Sequence, residues 1–249
     1  MGNPAATRAR RSLFCLALAL GLLLAIRPTA RQTIAPAAEG PLAGRIIAVD
    51  AGHGGYDGGA RAPNGQWEKV YNLSVALKLR DSLHALGADV VMTRDGDYAL
   101  CDRNPPMRKK RQDMEHRAEK VLSHGAELLV SIHMNDYRYK NQSGPQVFNR
   151  PDCPASVLLS EVMQAQLIED ISPKRHRAAN AGDFYITSLG IPSVLIECGF
   201  LSNPAEEALL RTDAYTERCL YREDGPGDRQ RDCRVVCTGR AAGGGGAGG

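Results

Sequence analysis

His53 stands between glycines in "AGHGG" (51–55), directly after the apolar run "RIIAVD" (45–50). His133 closes a second apolar run, "LLVSIH" (128–133), and Glu197 interrupts a third, "SVLIECGF" (193–200). Glu68 opens an amphipathic segment that follows the first histidine. Two imidazoles and one carboxylate are the donor set of a catalytic zinc site, which keeps a fourth position open for water. A second carboxylate, off the metal, then serves as general base towards that water. Taken singly, each residue has another reading. "AGHGG" suits a phosphate-cradling loop as well as a metal loop, although it lacks the Lys-Ser/Thr of a P-loop and the spacing of GxGxxG. His133 alone reads as a hydrogen-bonded strand end. Glu68 alone reads as an acid favoured by the dipole at a helix N-terminus. A bare buried carboxylate is costly, so Glu197 must be paired or bound, and a structural ion pair is the alternative to a catalytic role.

The surrounding pattern says which elements position these side chains. Residues 45–50, 88–94, 126–133, 146–149 and 191–200 read as strands. Residues 68–87 form a helix in which Leu73, Ala76, Leu79, Leu83 and Leu86 recur at steps of three and four, with Gly87 as its C-terminal cap. A basic helix spans 105–125 with Met107, Met114, Ala118, Val121 and Leu122 on one side, and residues 155–170 are also helical. A further helix opens at 203–211, with Asn203 as cap and Pro204 at its first position. This alternation predicts a single α/β domain with a mostly parallel, twisted sheet flanked by helices on both faces. In open sheets of this class sites form outside the carboxyl ends of the strands. If the strands ending at His53, His133 and Glu197 are neighbours, the three side chains share one crevice.

Composition bounds the rest. The chain has 249 residues and a formal charge of +3, but Arg8, Arg10, Arg11 and Arg27 precede the first acid, Glu39. Without those four, 27 cations face 28 acids, a net of −1, so nothing argues for nucleic acid as a partner. The apolar run Leu13–Ile26 behind three arginines reads as an export signal, cleaved or kept as an N-terminal membrane anchor, over residues 1–30. Residues 31–44 read as an Ala/Pro/Gly linker. The region 216–249 loses apolar periodicity and ends in "AAGGGGAGG", reading as a divergent, frameshifted or disordered tail. No CxxC pairs with another among the seven cysteines, which argues against a cysteine zinc site, and Cys198 reads as a small buried hydrophobe. His84, His116, His124 and His176 read as surface residues.

The stretches "VDAGHGGYDGGA", "VVMTRDGD", "LLVSIHMN" and "IPSVLIECGFLSNPAEEALL", together with Glu68, occur in one order between about Arg45 and Tyr215. In this the chain resembles the zinc-dependent N-acetylmuramoyl-L-alanine amidases, type 3 catalytic domain. The resemblance implies one Zn2+ per chain on His53, Glu68 and His133, with Glu197 as catalytic general base. It implies hydrolysis of the amide between N-acetylmuramic acid and L-alanine of the stem peptide. The partner implied is peptidoglycan, reached from an exported, extracytoplasmic position at the cell wall or the outer face of the membrane. The layout, with a lone catalytic domain and a basic helix, is similar to amidases of the spore cortex, which would place it in the intermembrane space of a forming spore. No wall-binding repeats are visible, which suggests an activator or targeting protein. Rival readings are a zinc peptidase cutting stem-peptide bonds and a non-catalytic cell-wall-binding protein. A retained Glu197 argues against the second.

Overall fold

The structure is a computed structural model and describes residues 40–103 and 108–219. The signal or anchor at 1–30, the linker as far as residue 39, the proline-rich stretch at 104–107 and the tail from residue 220 lie outside the described residues. The strands are β1 (Ile46–Ala51), β2 (Asp89–Met92), β3 (Leu128–Asn135), β4 (Gln146–Asn149), β5 (Asn180–Ala181) and β6 (Ser193–Phe200). The helices are α1 (Glu68–Ala85), α2 (Lys109–Ser123), α3 (Pro154–Ile171), α4 (Pro204–Leu210) and α5 (Asp213–Arg218), with a 3-10 turn at Tyr185–Thr187.

The strands form one six-stranded sheet in the order β2-β1-β3-β6-β4-β5. β2, β1, β3 and β6 run parallel, whereas β4 is antiparallel to β6 and parallel to β5. Strand alternation sorts the side chains. Ile47, Val49 and Ala51 of β1, Val130 and Ile132 of β3, and Val194, Ile196 and Cys198 of β6 face α1, α3 and α5. On the opposite face Ala48 and Leu129 pack with Val121 of α2 and Ile186. Helices therefore cover both faces, as the alternation of elements implied. Among the described residues no helix is long and apolar enough to cross a membrane.

α1 buries Val75, Ala76, Leu79 and Leu83, and Gly87, at φ 91, ends it by letting Ala88 N–H reach Leu83 O at 3.0 Å. Asn203 caps α4 as expected, its side chain accepting from the Ala205 amide at 3.0 Å. Three features differ from the sequence reading. Leu42 is buried and its N–H meets Leu86 O at 3.0 Å, so packing starts within the stretch read as linker. The inner face of α2 is not apolar throughout: Gln112, Asp113 and Arg117 are buried beside Ala118 and Val121, while Leu122 is 48% exposed. β5 has two residues, too few to leave a periodic signal, and α5 carries the fold on to a buried Cys219.

Candidate metal centre

β1, β3 and β6 are consecutive in the sheet, so the three strands carrying the candidate residues are neighbours. The register sets His133 opposite Glu197 on adjacent strands, both on the face that α2 covers. His53 lies just past the end of β1. Glu68 is the first residue of α1 and reaches across the sheet edge to both imidazoles. Its Oε2 is 3.2 Å from His53 Nε2 and its Oε1 is 3.0 Å from His133 Nδ1. The two rings meet edge to face with centroids 5.0 Å apart.

The glycines around His53 have specific duties. His53 adopts φ 61 and Gly54 φ 133, a left-handed reversal that turns the chain sharply after β1. A Cβ on Gly52 would fall inside the His133 ring, so only glycine admits that imidazole. Three glycine amides of this segment are already engaged. Gly52 N–H donates to Ile132 O at 3.0 Å, Gly54 to Asp57 O at 2.9 Å and Gly55 to Asp97 Oδ1 at 2.8 Å. No row of open amides remains, which removes the phosphate-loop alternative for "AGHGG".

Two buried arginines hold the loop from below, and sequence reasoning missed both. Arg94, just after β2, donates from Nε to Ala51 O at 2.8 Å and His53 O at 2.7 Å, and from Nη2 to Gly52 O at 2.9 Å. Arg117 of α2 donates from Nη1 to Ala51 O at 2.9 Å and from Nη2 to His53 O at 2.5 Å. Arg117 is itself fixed by Asp50 at 2.7 Å and Asp113 at 2.8 Å, and Asp50 also accepts from Ser131 and Thr93. A buried Arg in a helix that otherwise carries exposed cations leaves no sequence signal. Asp57 was also missed; its Oδ2 lies 2.9 Å from His53 Nδ1, an ion-pair distance without the alignment of a directed hydrogen bond.

Electrostatics follow from this packing. Burial alone would raise the Glu68 carboxyl, but His133 and His53 outweigh it and hold it far below the usual range. Burial would lower His53, yet the Asp57 and Glu68 carboxylates push it up to about 9. Two carboxylates thus favour positive charge at this ring. Glu197 differs. Burial dominates and pushes it up to about 7, the positive influence of His133 offsetting only part of that. Its Oε2 is buried and has no hydrogen-bond partner among the described residues, so the structural ion pair considered for it is not present. His84, His124 and His176 are exposed, whereas His116 is half-buried with Nδ1 2.8 Å from Leu100 O.

His53, Glu68 and His133 each offer a ligand atom, all within 4.8 Å of one another. That span leaves room for one cation among three donors of the types that zinc takes. The donor set and its spacing therefore fit a zinc ion, and the unpartnered Glu197 oxygen sits beside it.

Comparison with known proteins shows the family of the chain. Residues 47–221 match the family model Amidase_3, N-acetylmuramoyl-L-alanine amidase. The germination-specific N-acetylmuramoyl-L-alanine amidase of Bacillus subtilis (strain 168) is 35% identical over 181 residues, 72% of this chain and 76% of the relative. The CwlD amidase of Clostridioides difficile, solved in complex with the GerS lipoprotein, superposes with TM-score 0.67 at 34% identity, covering 71% of this chain and 92% of that one. The catalytic domain of CwlV, an N-acetylmuramoyl-L-alanine amidase from Bacillus (Paenibacillus) polymyxa var. colistinus, gives TM-score 0.62 at 28% identity, covering 71% and 92%. With the family model spanning most of the chain and the same fold in its relatives, this protein belongs to the N-acetylmuramoyl-L-alanine amidase family.

Proposed function

We propose that this chain hydrolyses the amide between the lactyl group of N-acetylmuramic acid and L-alanine of the stem peptide, with one Zn2+ on His53, Glu68 and His133 and with Glu197 as general base. The observation that carries this reading is the buried, unpartnered Glu197 Oε2 beside the His53–Glu68–His133 cluster. A carboxylate left bare at that position has no structural use, since burial without a partner costs stability. It has a chemical use next to a reacting water.

A zinc ion bound there supplies Lewis-acid polarisation of the amide carbonyl and acidifies water. Glu197 takes a proton from the attacking water as oxygen adds to the carbonyl carbon. It then returns the proton to the leaving nitrogen as the C–N bond breaks, giving a lactyl carboxylate and a free amine. A carboxyl raised to about 7 suits both steps, because a base with a pKa near the working pH both accepts and donates. Arg94 and Arg117 fix the His53 carbonyl, and Glu68 aligns both rings, so the ligands are held before the metal arrives.

The substrate lies outside the cytoplasm, and the apolar run Leu13–Ile26 supports export. A relative named as germination-specific supports a role in the spore cortex. A structural neighbour in complex with the GerS lipoprotein supports a protein partner that activates or places this enzyme. The test is product analysis. Zinc-loaded full-length protein is incubated with purified sacculi, and the soluble products are read by mass spectrometry. Intact stem peptides with a new L-alanine amino terminus are expected. Fragments cut within the peptide would contradict the reading and indicate a peptidase.

A further inference from the structure

We propose that Lys109 and Lys110, at the start of α2, form with Tyr56 the peptide-side lip of the metal centre and bind free carboxylates of the stem peptide. This rests on the amidase reading and adds how the substrate is recognised.

α2 follows β2, so its first turn stands at the same sheet edge as the His53 loop. Lys110 Nζ is 3.8 Å from Asp57 Oδ2, and that oxygen is 2.9 Å from His53 Nδ1. One carboxylate therefore separates the ammonium from the imidazole. Lys109 Nζ lies 5.8 Å from the centroid of Tyr56, a ring from the His53 loop that is 49% exposed. The ring holds the ammonium in place and leaves its charge uncancelled.

Folding does not account for these cations. α2 has no acid in its first turn and no side-chain cap, so positive charges there oppose the helix dipole. Lys69 shows what a structural lysine looks like in the same neighbourhood: its Nζ meets Gly55 O at 2.7 Å and Asp97 Oδ2 at 2.8 Å. Lys109 has no carboxylate partner among the described residues, and Lys110 has only the distant oxygen of Asp57, which His53 already engages.

The substrate supplies the missing partner. The scissile amide joins a sugar to an acidic peptide, and the peptide is the leaving side. Two cations, Lys110 by Asp57 and Lys109 over Tyr56, would hold that peptide by its carboxylates and bring the amide over the metal centre.

The experiment compares two muropeptides that differ only in whether the stem carboxylates are free or amidated, using zinc-loaded full-length wild type and Lys109→Gln/Lys110→Gln. Zinc content and melting temperature of the variant establish an intact fold and centre. The expected result is a lower KM for the free-carboxylate substrate in wild type. That preference should fall towards unity in the variant, a loss of roughly fivefold for exposed ion pairs. A wild type without the preference, or a variant that keeps it, would overturn the proposal. So would a variant that keeps the preference but loses binding to anionic vesicles, which would assign the cations to a lipid surface. If loaded wild type cleaves neither substrate, the hydrolase reading fails separately. The lip is then judged by calorimetric binding of the two peptides, where equal affinities in wild type and variant would overturn it.

Discussion

Glu68 is a buried carboxylate and Glu197 a half-buried one with a buried Oε2, both at one sheet edge, yet their surroundings push them apart. Glu68 has an imidazole on each oxygen and stays ionised. Glu197 has no partner on Oε2, and burial pushes it up to about 7. Different surroundings assign different roles: the first suits a cation ligand, the second a proton carrier. Glu197→Gln keeps the shape and removes the proton-accepting oxygen. We expect it to lower turnover by about 10²- to 10⁴-fold, as loss of a general base does, with zinc still bound. Amine release together with elemental analysis checks this; a variant with near wild-type turnover would remove Glu197 from the chemistry. His53, His133 and Glu197 stood out in the sequence because each breaks an apolar or glycine-rich pattern, whereas Glu68 was singled out only by its place at the start of the helix after the first histidine. Asp57, Arg94 and Arg117 did not stand out, because an acid in a loop, an arginine at a strand end and an arginine in a basic helix break no pattern.

At the scale of elements, the join between β1, β2 and α2 sets the loop that presents His53. Strand and helix positions could be read from periodicity, since apolar residues recur at two or at three and four. The polar inner face of α2 could not, because Arg117 and Asp113 serve contacts made far along the chain with Asp50 and the loop carbonyls. Asp50 is the anchor of that network. Burial would raise its carboxyl, but Arg117, Ser131 and Thr93 hold it down at about 2, against an ordinary value of 3.8. A depressed folded-state value means stability that is present above the ordinary value and lost as pH falls through the folded one. The window is therefore between roughly pH 4 and pH 2, and the contribution is about 2 kcal/mol. Urea unfolding across that range should show wild type losing stability more steeply than Asp50→Asn. Equal slopes would mean that Asp50 is not held by the network as described.

On the scale of the whole molecule, neighbouring parallel strands bring together residues from the beginning, middle and end of the domain. The order β2-β1-β3-β6 does this without any local signal, so sequence reasoning could offer it only as a condition. The short β5 escaped notice because two residues are too few to show a period. The central claim, that distant segments meet to hold one metal ion, is tested most directly by the zinc content of the full-length protein. Wild type and His133→Ala are purified alike, equilibrated with zinc, freed of excess and measured by elemental analysis. The account predicts one zinc per chain in wild type and its loss in a variant that still melts cooperatively. A folded wild type that binds no zinc, or a variant that keeps it fully, would contradict the account.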